Sequence, residues 1–285
     1  MIVIPAVDLR NGLCVRLHQG RSERETVFSD DPVSVALQWK KLGAERLHVV
    51  DLDGAFAGEP KQSALVTKIV AAVAPVPVEV GGGLRDVRAV ESAFEAGARW
   101  AVVGTRAALD PAFLRDVCRR HPERIIVAVD ARGSRVAVKG WTEVVDDTVA
   151  EVGARARDAG AAALLYTDVS RDGTEIGPNV EDTDALARRV EMPILASGGV
   201  GRVEDLRRLA AIPGVVGAVV GRALYSGAID LRHLLGDPSI SGHPPTDPLL
   251  GDPSISGHPP TDPLLGDPSI SGHPPTDPGS RPPLQ

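Results

Sequence analysis

The chain has only two cysteines in 285 residues, Cys14 and Cys118, and no spacing that pairs them. That excludes a disulfide framework or a cysteine metal site and suits the reducing cytoplasm. No apolar run approaches the roughly 18 residues of a membrane-spanning helix, and Met1 leads into a strand-like run without a basic, apolar, small-residue leader. Basic charge is scarce as well. With 31 Lys and Arg against 38 Asp and Glu, the net charge is −7, which argues against a nucleic-acid surface. No lysine-bearing P-loop is present for a nucleoside triphosphate, and the turn Asp8-Leu9-Arg10-Asn11-Gly12 lacks the glycines of a dinucleotide site. The expected partner is a small molecule, without nucleic acid, membrane or an obligatory protein partner.

What the chain does have is a repeat. Val80-Gly81-Gly82-Gly83-Leu84-Arg85, a helical pattern and Ala101-Val102-Val103-Gly104-Thr105 return about 116 residues later as Ala196-Ser197-Gly198-Gly199-Val200, a helical pattern and Ala218-Val219-Val220-Gly221-Arg222. Upstream, Ile4-Pro5-Ala6-Val7-Asp8 is echoed by Ile126-Val127-Ala128-Val129-Asp130. Two halves of one design imply a closed barrel made by duplication.

The remainder of the sequence supports that expectation. Eight apolar runs read as strands, 2–7, 46–50, 76–80, 100–103, 125–129, 163–166, 194–196 and 217–220, with amphipathic segments such as 32–42, 87–96, 111–119, 148–159, 182–189 and 203–211 between them. Continuous apolar strands separated by helices pair in parallel and are covered on both faces. The predicted fold is α/β, a (β/α)8 TIM barrel of two half-barrels over residues 1–235; an open doubly wound sheet is the weaker alternative.

Residues 236–285 differ in kind. A fifteen-residue unit starts at Leu234, Leu249 and Leu264, and the segment from Gly236 holds 14 of the 24 prolines, six aspartates and one arginine. It therefore carries −5 of the −7 charge. Such a composition predicts a disordered tail that builds no core. His243, His258 and His273, fifteen residues apart, are better read as repeat residues than as a metal array, and a Pro-rich docking ligand lacks its usual basic residue.

In a barrel of this kind, chemistry collects where the strands end. Asp8, Asp51, Asp53, Asp130, Thr167, Asp172 and Ser197 follow strand-like runs, as do the glycine clusters. A single aspartate there is ordinarily a helix cap, but eight polar or glycine endings together predict a site. Gly82-Gly83 with Gly104-Thr105, and Ser197-Gly198-Gly199 with Gly221-Arg222, expose backbone amides of the type that hold phosphate. Two such grips predict a long substrate with a phosphate at each end.

Seven segments in order, 4–9, 15–20, 48–55, 81–85, 140–141, 167–174 and 196–200, resemble the phosphoribosylformimino-aminoimidazole-carboxamide ribotide (ProFAR) isomerases of histidine biosynthesis, over about residues 1–233. The resemblance implies an Amadori rearrangement of an N-linked aminoaldose to an aminoketose (PRFAR), with neither metal nor organic cofactor. It places Asp8 as base and Asp172 as acid, with Asp130 and Thr167 assisting. It also assigns substrate contacts to His48, Asp51, Arg85, Trp141, Gly177 and the two glycine grips, with Trp141 stacking on the substrate ring once its loop closes. His18 to Ser29 is expected as a polar lid loop.

Three alternatives stand beside this. The cyclase subunit of imidazole glycerol phosphate synthase shares the barrel but has a cysteine before the first aspartate, where this chain has Val7. A broadened isomerase would also convert phosphoribosylanthranilate by the same chemistry. A phosphate-binding scaffold is disfavoured by the presence of both Asp8 and Asp172.

Overall fold

A computed structural model describes residues 1–234, 236–240 and 249. Eight strands form its centre: β1 (Ile2–Arg10), β4 (Leu47–Asp51), β5 (Val78–Gly81), β6 (Trp100–Val103), β7 (Ile125–Arg132), β10 (Ala163–Asp168), β11 (Ile194–Ser197) and β12 (Val215–Val220). Each pairs in parallel with the next, β12 returns to β1, and β7 pairs with β10, so the sheet closes into the expected barrel. Their residues are nearly all buried, because the interior takes one face and the helices take the other.

Helices α1 (Pro32–Lys41), α3 (Ser63–Val73), α4 (Val87–Glu95), α6 (Pro111–Arg120), α7 (Val149–Asp158), α8 (Val180–Val190) and α9 (Val203–Ala210) lie between these strands. Local chemistry starts several of them. Asp31 caps α1 ahead of Pro32, Thr148 and Glu151 form a reciprocal capping box on α7, and Asn179 caps α8. A short helix, α2 (Leu52–Ala57), follows β4, and α5 (Thr105–Leu109) and α10 (Arg222–Tyr225) follow β6 and β12.

Two features depart from the sequence reading. The expected loop 18–29 is largely a strand, β3 (Arg21–Ser29), paired antiparallel with β2 (Leu13–His18), which itself folds back on β1. The turn is Asn11-Gly12, both at positive φ (50° and 78°), as a two-residue hairpin requires. The second half repeats the device: β7 folds onto β8 (Arg135–Val138), which pairs with β9 (Glu143–Thr148).

The other departure is in the repeat segment, which was expected to build no core. Ile240 is 2% exposed and belongs to the hydrophobic core, the Met1 ammonium donates to its carbonyl at 2.7 Å, and Arg207 pairs with Asp237 at 3.1 Å. The single apolar side chain of Ile240 docks because the barrel offers it a place. Replacing Ile240 by Ala is expected to cost about 2 kcal/mol or more, read as a lower urea midpoint with unchanged turnover. An unchanged midpoint would show that the segment does not pack in solution. Most of the tail, including His243, His258 and His273, lies outside the described residues. Among the described residues, no helix is long and apolar enough to cross a membrane.

Candidate active site

A cavity opens at the C-terminal ends of the barrel strands. Asp8 and Asp130 reach it from equivalent positions on β1 and β7, His48 from β4, Thr167 from β10, and Asp172 from the loop after β10. Val50 also lines it, whereas Asp51, the next residue along β4, does not. The alternation of side chains along a strand explains the difference. Asp51 turns to the helix side instead, where its carboxylate accepts from the amides of Gly54 (2.7 Å), Lys61 (2.6 Å) and Gln62 (2.8 Å). It is the cap of α2 rather than a lining residue, and Asp168 is held in the same way by Ser170 and Asn179.

The carboxylates that line the cavity sit in distinct surroundings. Asp8 is paired with Arg16 at 2.6 Å. Arg16 is on β2, and only the hairpin carries it back over β1; the sequence reading assigned it no role. Burial works against its charge, but the carboxylates of Asp8 and then Asp172 outweigh that and hold its pKa above the usual value. A side chain at Gly221 would occupy the place of its guanidinium.

Asp172 is partly exposed, yet its carboxyl is pushed up to about 6. Desolvation is the main cause; Arg16 opposes it, and the negative charges of Asp8 and Asp130 add to it. Asp130 is also raised by desolvation, against hydrogen bonds from Trp141 and Thr167 and the nearby charge of His48. Trp141 Nε1 donates to Asp130 Oδ2 at 2.7 Å. The mouth thus holds one carboxylate in an ion pair, Asp8, and two carboxyls that retain their protons to higher pH, Asp172 and Asp130. That difference separates a base from an acid.

The polar rim comes from both halves. Gly82, Gly83, Gly104, Thr105, Arg85 and Arg106 line the cavity on one side, and Ser197 on the other. Gly82 has φ +105°, and a Cβ there would run into the backbone of Asp51; at its equivalent, Gly198, with φ +91°, a Cβ would meet the backbone of Asp168, and at Gly199, with φ +86°, the carbonyl of Gly177. The second copy is therefore packed beneath the loop 169–177: Gly177 N donates to Gly199 O at 2.9 Å, and Arg222 donates to Gly173 O at 3.2 Å. Gly177, Gly198, Gly199, Gly221 and Arg222 are not among the lining residues.

Three chain segments meet over the mouth. Gln19 N donates to Asp172 O at 3.3 Å, Gln19 Nε2 donates to Ser170 O at 2.9 Å, and a side chain at Gly20 would collide with the Trp141 ring. Trp141 has φ +69°, a conformation few bulky residues adopt. Among the described residues no group of three or more His, Cys, Asp or Glu side chains could hold a metal ion.

Comparison with known proteins places this geometry among relatives. A family model described as "Histidine biosynthesis protein" matches residues 2–230. A 1-(5-phosphoribosyl)-5-((5-phosphoribosylamino)methylideneamino) imidazole-4-carboxamide isomerase of Hahella chejuensis is 48% identical over 234 residues, covering 81% of this chain and 96% of that protein. Proteins of the same name from Thioalkalivibrio sulfidiphilus and Halorhodospira halophila are 49% and 50% identical, covering 81% of this chain and 96% and 94% of their own lengths.

Proposed function

The chain belongs to the histidine biosynthesis protein family, and on that premise we propose how it performs an aldose–ketose isomerisation at this mouth. It is an isomerase that converts the bis-phosphorylated aminoaldose ProFAR to the aminoketose. The observation that carries the mechanism is the pairing of a carboxylate held by Arg16 with a carboxyl raised to about 6, both in one cavity.

Asp172 protonates the ribose ring oxygen, and the ring opens as the exocyclic nitrogen donates its electron pair to the anomeric carbon. Asp8 then removes the proton from the adjacent carbon, leaving an enolamine. The anomeric carbon then takes a proton from Asp8 while the enol hydroxyl gives its proton to Asp172, which yields the aminoketose and restores both carboxyl groups. Asp130 and Thr167 orient the substrate, and Trp141 leaves Asp130 to stack on the imidazole carboxamide as the mouth closes. One phosphate lies on the Gly82–Gly83 and Gly104–Thr105 side, with Arg85 and Arg106 beside it, and the other lies on the Ser197–Gly199 and Gly221 side. The substrate is a free small molecule and needs no protein partner. The enzyme works in the cytoplasm, where the buried free thiols of Cys14 and Cys118 stay reduced.

The test is a turnover assay of the purified chain with the aminoaldose and with phosphoribosylanthranilate, side by side. Turnover of the first alone is expected. Turnover of both would broaden the substrate range, and turnover of neither by folded protein would overturn the reading.

A further inference from the structure

Below the mouth, one layer of the barrel interior is charged in the first half only. Arg46 Nη1 donates to Glu79 Oε2 at 3.0 Å, and His48 Nδ1 lies 2.6 Å from Glu79 Oε1. The Arg46 guanidinium stacks over Trp100, 3.8 Å from the ring centroid. Arg46, Glu79 and Trp100 are fully buried, while His48 alone of the four lines the cavity. A buried ion network is weak evidence for stability, because apolar side chains of similar volume generally serve a core as well.

The duplicated half makes that comparison within one molecule. His48 is in register with Glu79 across β4 and β5, and Glu79 with Trp100 across β5 and β6. At the equivalent places Leu165 is in register with Leu195 across β10 and β11, and Leu195 with Gly217 across β11 and β12. Ala163 stands before Leu164 as Arg46 stands before Leu47. The same layer is therefore built from Ala, Leu, Leu and Gly in one half and from Arg, His, Glu and Trp in the other. Closing the barrel does not require the charges. They occur in the half whose cavity-lining residue is a histidine instead of a leucine.

A carboxylate on one imidazole nitrogen sets both the ring's orientation and the role of the other nitrogen. We propose that Glu79 is a positioning residue of the isomerase: it holds His48 with a proton on Nδ1 and Nε2 presented to the substrate beside Asp130. Arg46, fixed on Trp100, supplies the positive charge that lets Glu79 remain an anion without water. The assignment rests on the isomerase reading for its effect on turnover, but the state of His48 can be measured without it.

The experiment has two arms. In the wild-type chain, histidine-selective nitrogen NMR is expected to show His48 carrying its proton on Nδ1; a neutral His48 protonated on Nε2 alone would overturn the proposal. The double variant Arg46→Ala with Glu79→Leu copies the sister layer at two of its four positions, those of Ala163 and Leu195, and is expected to fold. Its kcat on the aminoaldose should fall about 10-fold or more, with KM changed less, and the Nδ1 preference should be lost. A folded double variant with wild-type kcat and an unaltered His48 signal would also overturn it. If the double variant does not fold, the wild-type spectrum decides. An inactive wild type with the expected His48 spectrum would instead count against the isomerase reading alone.

Discussion

Replacing Asp8 by Asn is expected to lower turnover of the aminoaldose by roughly 10²- to 10⁴-fold, the range over which a positioned general base contributes. The substitution keeps the size and shape of the side chain and removes its ability to take a proton. Asp8 sits at the end of β1 with its backbone paired on both sides, to Val50 of β4 and Val15 of β2, so the strand should hold its position. Substrate binding should persist, because the glycine turns and arginines at the rim are untouched. A rapid-quench single-turnover measurement separates the two effects, with the dissociation constant obtained by calorimetry. Normal turnover in this variant would remove Asp8 from the role of base.

Asp172→Asn is expected to combine a comparable loss of turnover with a gain in stability. A carboxyl whose pKa is raised by folding favours the folded state when protonated, so its ionisation costs stability. That cost is absent below the unfolded value near 3.8, grows as pH rises, and is fully present above about 6. Full conversion of the shift would give about 3 kcal/mol. The side chain is partly exposed, so about 1–2 kcal/mol is the better expectation after screening. Removing the charge should therefore raise the melting temperature by a few degrees at pH 8 and leave it unchanged near pH 4. Wild-type kcat/KM should fall as pH rises through about 6 in the free enzyme, as the proton that Asp172 donates is lost. Equal melting temperatures at pH 8, or a pH profile that survives in the variant, would show that Asp172 is not the strained acid.

Much of the site was legible because its signals are local. The hairpin was not: Asn11-Gly12 is a two-residue turn signal that went unread, and the segment 18–29 reads as loop because the polar residues of the strand 21–29 hide its pattern. Asp51 and Asp8 look alike as aspartates following apolar runs, and both occur in motifs. Their parity along neighbouring strands is what separates them: Leu9 is in register with Asp51, and Asp8 with Val50. One carboxylate faces the cavity and the other caps a helix. Arg16 and Glu79 were missed for a related reason, since neither has a neighbour in sequence that marks it.

By itself the sequence determined the barrel, its duplication, the glycine turns and the acidic residues that follow the strands, because these depend on periodicity and on the chemistry of short segments. Only the tertiary structure decided which groups meet. The ion pair of Asp8 with Arg16, the bond from Trp141 to Asp130 and the hold of Glu79 on His48 arise from strand register, hairpin folding and the side chains' direction. Those depend on how separate segments close around a common axis, and no single segment carries that information.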